Sequence, residues 1–388
     1  MVGQAAVGGL SPVVLPRKEE IMHRKALGIL VLTIAVSLSF AACKQRSEGA
    51  GGAALKSVNW KMAGAYSSTT PIVGDSGPLW SKKLEDVSGG RLRIKYFDPG
   101  KLVPVLEIFD AVSKGAVDAG WTSAGYWIGK LPSAALFSAV PFGPNALEYM
   151  AWIYEGGGLD LWQEIYAENN IWVTPCVIIP PEASGWFREP IENVDQLRGM
   201  KIRFFGLGGK VMQKLGASVQ LLAAGDIFPA LERGVLDATE FSMPSIDERY
   251  GFHKVAKHYY FPGWHQQSSI LELIINLARW NELSSQDQEL IQICCKDAII
   301  RGLTLGEVQQ GQALANMKEQ GVEVHTWTPE IMAAYKAATD QVLAEEATND
   351  AKFAKVFESY TNFRARYAEW AALSRIPDDY VGHVAGGN

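Results

Sequence analysis

Two stretches of the chain carry the same order of apolar and polar positions. Ile108–Gly120 and Ile227–Thr239 lie 119 residues apart, and six of their thirteen positions are identical. Each reads as a short amphipathic helix, then Gly at the left-handed position that ends a helix, then a short strand. Two copies at domain-sized spacing predict two similar α/β lobes; a solenoid needs at least three closely spaced copies. Elsewhere, Val58–Ala63 reads as a first strand, Leu79–Val87 as a helix, and Arg91–Tyr96 alternates polar and apolar as a half-buried strand does. The apolar run Thr174–Ile179 is expected to cross towards the second lobe. There the one-turn helix Val194–Gly199 leads into a strand at Lys201–Phe205, a helix from Gly206 to Leu215 and a strand at Ala238–Phe241. Ile270–Leu277 is nearly continuous in apolar residues, the pattern of a strand buried on both faces. Ser285-x-x-Gln288 reads as a capping box that starts a long helix. Phe353, Val356, Phe357, Tyr360, Phe363, Tyr367 and Trp370 recur at spacings of three and four. That aromatic face either packs on its own domain or forms a homodimer contact.

The first residues follow a different pattern. Arg24 and Lys25 precede an apolar run from Ala26 to Phe40, shorter than the ~20 residues that span a bilayer. The run ends on Ala41-Ala42-Cys43, small residues before a cysteine, as at a bacterial lipoprotein processing site. Residues 1–42 are therefore expected to be a signal peptide, with Met22 as a candidate start, and Cys43 the lipid-bearing residue. Residues 43–57, with Gly49–Ala54, read as anchor and flexible tether. The remaining length suffices for two cores. Hydrophobic content of 48% and 20% charged residues are those of an ordinary globular protein. The net charge is −6, and removing residues 1–42 takes away four basic and two acidic residues, so the remainder is more acidic still. Nothing here fits a nucleic-acid partner. Cys176 and the adjacent Cys294 and Cys295 read as buried thiols, because neighbours in a helix point apart and would pair only under strain.

Several motifs imitate chemistry that the chain does not support. Gly74-Asp75-Ser76-Gly77-Pro78 resembles an active-serine segment, but the only upstream histidine is His23. Gly206-x-Gly208-Gly209-Lys210 lacks the Ser or Thr of a phosphate-binding loop. The six histidines show no zinc-ligand spacing. Three other positions converge better. Arg203 lies on a strand that runs into a glycine-rich helix start, a combination suited to a carboxylate. Glu240 ends the strand after the second repeat, and Glu182 follows Pro180-Pro181 at the end of the crossover strand. All three belong at strand ends facing the cleft, where open α/β sheets bind ligands. The same spacing also allows Arg203 and Glu240 to form a salt bridge between elements.

From about Val58 to Leu373 the chain resembles the solute-binding subunits of TRAP (tripartite ATP-independent periplasmic) transporters, nearest the 2-oxo-acid branch. The likeness rests on Ser88–Leu92, Leu102–Pro104, Val140–Gly143, Ala151–Tyr154 with Gly156–Gly158, Gly185–Phe187, Leu197–Arg203, Gly225–Leu231 and Arg279–Leu283. It implies a periplasmic-binding-protein-like α/β fold. In it, residues 58–176 and about 268–310 form lobe I, and residues 177–267 and about 311–375 form lobe II with the C-terminal helices. Residues 376–388 would be a tail. It also implies a non-enzymatic receptor, anchored by its lipid at the extracytoplasmic face, that hands a small organic acid to the TRAP membrane permease. Alternatives are the same fold serving an ABC permease or a sensor kinase, or taking an aromatic or larger carboxylate. In this resemblance Arg203 pairs with the substrate carboxylate. A cation bridges substrate and protein through Glu182, Glu240 and the backbone carbonyl of Phe241. Tyr126, Trp127 and Tyr66 wall the pocket. The family pattern has Gln where this chain has Glu182, and Trp where it has Phe241. The extra carboxylate changes the site's charge, counted with Arg203 and the substrate, from −1 to −2, which favours Ca2+ over Na+; the alternative is that Glu182 stays protonated and the site remains monovalent.

Overall fold

The computed structural model describes residues 56–374 and Ile376. The expected signal peptide, Cys43, the tether before Lys56 and the tail beyond Ile376 lie outside the described residues. Two sheets organise the rest. The first has the order β2 (Leu92–Phe97), β1 (Val58–Gly64), β3 (Ala119–Thr122), β10 (Ser269–Asn276) and β4 (Ile171–Ile179). Here β1 runs parallel to β2 and β3, whereas β10 is antiparallel to β3 and β4. The second has the order β11 (Glu323–Thr326), β9 (His258–Phe261), β5 (Gly185–Phe187), β8 (Ala238–Thr239), β6 (Lys201–Arg203) and β7 (Ser218–Gln220).

The internal repeat occupies equivalent places in the two sheets. The first copy is the helix Ile108–Ser113 followed by β3; the second is the helix Ala224–Glu232 followed by β8. Gly115 and Gly234 follow these helices at φ 71° and 70°, the left-handed conformation glycine reaches without a Cβ penalty. β3 lies beside β1, and β8 beside β6, both in parallel register. Every residue of β4 and β10 is buried, as their unbroken apolar runs require.

The long helix Ser285–Glu319 packs on β4, on the helix Ser76–Val87 of the first lobe and on the helix Pro244–Tyr250 of the second. Its cap is Ser284, whose Oγ accepts from the Asp287 amide at 3.1 Å. The Ser285–Gln288 box therefore does not form: Gln288 donates instead to the Trp280 carbonyl. Asp75 and Ser76, from the serine-protease lookalike, anchor this helix by accepting from Arg301. Cys176 and Cys295 form a disulfide, with Cα atoms 4.2 Å apart, and among the described residues only Cys294 stays a free buried thiol. Reading all three as thiols considered sequence neighbours alone. The true pair comes from β4 and the helix laid across it.

The final helix, Ala351–Ser374, returns to the first lobe, packing on the 310 turns of Pro132–Phe137 and on the helices Ala146–Glu155 and Gly158–Ala167. Phe353, Val356 and Tyr360 are buried there, and Arg364 pairs with Glu148 at 2.8 Å. The first part of the aromatic stripe is thus used within the chain, whereas its last member, Trp370, and Leu373 beyond it are exposed. Assignment of everything after about residue 311 to the second lobe misses this crossing, because amphipathic periodicity does not say which lobe a helix covers. Among the described residues, no helix is long and apolar enough to cross a membrane.

Candidate ligand and cation site

The loops leaving β1, β4, β6 and β8 converge on a small cavity, of about 30 Å³, between the two sheets. Tyr66 and Tyr126 line it from the first lobe, and Arg203, Phe205, Phe241 and Ser242 from the second. Glu182 and Gln266 reach it from the connections between lobes. Thr70 Oγ1 and the Tyr250 hydroxyl meet at 3.0 Å, and the Tyr126 ring lies edge-on to Phe205 at 5.0 Å. These contacts join the lobes beside the cavity.

Arg203 is the last residue of β6, and its side chain is 1% exposed. Nη1 donates to the Glu240 carboxylate at 2.8 Å and to the Glu240 carbonyl at 2.6 Å; Nε points at the Leu222 carbonyl, 3.4 Å away. Among the described residues Nη2 has no protein partner, and Arg203 forms part of the cavity wall. Its guanidinium also lies over the rings of Phe205 and Phe241, at 5.8 and 5.3 Å. Glu240 is the first residue after β8, which stops at Thr239 and not at Phe241 as the sequence suggests. It accepts from the Phe205 amide at 3.0 Å and from Gln266 Nε2 at 3.2 Å. The salt bridge allowed by spacing is therefore formed, and one face of the guanidinium fork is left over.

Glu182 is buried, with Oε1 accepting from Ser242 Oγ at 3.2 Å and Oε2 without a partner. Burial pushes its carboxyl well above the usual range, and the nearby charges of Glu240 and Asp247 add to the rise. Burial alone would raise Glu240 too, but the Arg203 guanidinium and His265 outweigh it and hold Glu240 below the usual range. His265 escaped the sequence reading. Its Nε2 lies 3.3 Å from Glu240 and 3.8 Å from Glu182, and neither ring nitrogen has a hydrogen-bond partner among the described residues. Glu182, Glu240 and His265 thus bring donor atoms within 4.8 Å of one another, from three separate loops. A search for paired histidines could not find this grouping.

Behind it, Asp247 accepts from the Ser242 amide, the Trp186 indole and the Tyr259 hydroxyl. Burial lifts it to about 7 despite these donors. Of the expected aromatic wall, Tyr66 and Tyr126 reach the cavity. Trp127 does not: its indole donates to buried Glu272 at 2.8 Å, inside the first-lobe core. The 310 turn Ala124–Trp127 sends neighbouring side chains in different directions, which an adjacent aromatic pair conceals.

A buried guanidinium with a free edge, set beside an incompletely neutralised carboxylate in a cleft between two α/β lobes, defines a receptor for a small anion. The chain belongs to the DctP family, bacterial extracellular solute-binding protein family 7, whose sequence pattern matches residues 62–350. It is 35% identical to a monocarboxylate 2-oxoacid-binding periplasmic protein of Nostoc sp. (strain PCC 7120) over 91% of this chain and 97% of that one. A TRAP periplasmic solute-binding protein from Pseudoalteromonas atlantica T6c, with bound sodium and pyruvate, superimposes with a TM-score of 0.79. It shares 32% identity, over 82% of this chain and 97% of that one. One from Colwellia psychrerythraea, with bound calcium and pyruvate, gives 0.78 and 33% over 82% and 98%. The chain is an extracytoplasmic solute receptor of the TRAP type, a class that binds and delivers rather than catalyses.

Proposed function

We propose that this receptor captures a small 2-oxo monocarboxylate, with pyruvate as the reference ligand, together with a calcium ion. The observation that carries the reading is the meeting of two groups at one small cavity: Arg203, which holds Glu240 through Nη1, and Glu182, whose Oε2 has no partner among the described residues. The guanidinium edge takes the ligand carboxylate. Glu182, Glu240 and the Phe241 carbonyl hold the cation, which draws the ligand oxygens to itself and neutralises charge that burial makes expensive. A cation seated against Glu182 would offset the burial and the neighbouring negative charge that raise its proton affinity, so the donor set fits the ion. The two pyruvate-bound relatives carry sodium in one case and calcium in the other. The second carboxylate at Glu182 tips this chain towards the divalent ion. Tyr66 and Tyr126 close over the ligand from the first lobe, and the small cavity excludes bulky acids.

Release then falls to TRAP membrane permease subunits that recognise the closed, loaded form. Cys43, as a lipid-bearing residue, would hold the receptor beside them. A thermal-shift titration with pyruvate, lactate and 2-oxoisovalerate tests the ligand class. An acid at 100 times its dissociation constant should stabilise the protein by about 2.7 kcal/mol. Silence from all three acids in every cation would discard the 2-oxo-acid reading.

A further inference from the structure

A second group of metal-binding side chains lies outside the cleft, where β9 and β11 form the edge of the second sheet. In their parallel register Glu323 lies opposite His258, and His325 opposite Tyr260. Strand side chains alternate between faces, so all four project from the same face. His258 Nδ1 is 3.0 Å from His325 Nε2, and the Glu323 carboxylate is 3.5 Å from the first and 3.8 Å from the second. Four ligands at ~2.0–2.1 Å around a tetrahedral ion sit roughly 3.4 Å apart. The three observed separations straddle that value.

The imidazoles are backed by a fixed aromatic wall. The His325 ring stacks on Tyr260 with centroids 4.8 Å apart, Tyr260 stacks on Trp327 at 4.1 Å, and the Tyr260 hydroxyl accepts from the Ile191 amide at 2.7 Å. β11 is an outermost strand, and the Glu323 side chain is 65% exposed, so an ion reaches the group from solvent.

We propose that His258, His325 and Glu323 form a binding site for a divalent transition-metal ion of the zinc class, with water in the fourth position. Two imidazoles and one carboxylate suit Zn2+ or Co2+, whereas the oxygen donors of the cleft suit Ca2+. The ion would pin β11 to β9 at the sheet edge.

The test uses untagged, chelator-treated protein titrated with Zn2+ by calorimetry in excess Ca2+, and with Co2+ by visible absorption. One equivalent of Zn2+ and the intense absorption of tetrahedral Co2+ are expected. Losing a partner of a metal ligand already costs about 10–100-fold in affinity, so His325→Ala should weaken Zn2+ by at least that much. Pyruvate binding should not change. Glu323→Gln, at an exposed position, repeats the test without disturbing the aromatic stack. Absence of a Zn2+ equivalent, or one that survives both substitutions, overturns the site.

Discussion

Arg203 fills two roles that a lysine could not combine: one edge of its fork holds buried Glu240, and the other faces the cavity. Arg203→Lys should keep a charge beside Glu240 yet weaken acid binding by roughly 100-fold, since one point charge cannot serve both partners. Calorimetry with pyruvate reads this directly. Arg203→Ala would strand the Glu240 carboxylate and cost about 3–5 kcal/mol of stability, measured by denaturant unfolding. Glu182→Gln removes the extra negative charge, and pyruvate binding should then prefer Na+ to Ca2+; an unchanged preference would refute the charge argument. Glu272 offers a separate check. Burial among first-lobe aromatics lifts it to about 8, against the donors Trp127 and Tyr166. It holds its proton in the folded state while the unfolded chain releases it above its ordinary value near 4.5. Stability is therefore lost as pH rises between those values, at up to about 1.4 kcal/mol per unit. Glu272→Gln should flatten that slope in melts recorded from pH 5 to 8. Arg203, Glu182 and Glu240 were legible because charged residues at apolar strand ends need a reason to be there. His265, Gln266 and Ser242 were not, since each is ordinary in its own segment and meets the others only after folding.

At the scale of elements, the repeat was readable because its signals are local: apolar spacing, a terminating Gly and the strand that follows. What failed was long-range or a matter of one residue. The Ser284 cap lies one position before the box that the sequence offers, and the helix Ala351–Ser374 crosses to a lobe that its own periodicity does not name. The Cys176–Cys295 disulfide depends on the long helix lying across β4, a tertiary fact. It fits an oxidising compartment outside the cytoplasm. Replacing both cysteines with Ser should cost about 2–5 kcal/mol in denaturant unfolding. A change below the error of that measurement would mean that β4 and the helix hold their contact without the bond.

For the whole molecule, two lobes meet across a cavity whose charged groups come mainly from the second. Gly125 belongs to the first lobe, and a Cβ there would lie 2.3 Å from the Phe205 ring of the second. Gly125→Val should therefore oppose closure and lower pyruvate affinity by about tenfold or more. The melting temperature without ligand should hardly move, and X-ray scattering would show an expanded form that pyruvate no longer compacts. The two-lobe plan and the cleft were foreseeable from the doubled pattern and from two long apolar strands, one leading into the second lobe and one returning from it. The ligand's size was not, because Tyr66, Tyr126, Phe205 and Phe241 come from four separate stretches of chain. The central claim is that acid and divalent cation bind as one unit. Calorimetric titration of pyruvate into chelator-stripped protein, without added cation, with Na+ and with Ca2+, tests it most directly. The expected result is negligible heat in the stripped protein, weak binding in Na+ and tight binding in Ca2+. Equal affinity under all three conditions would contradict it.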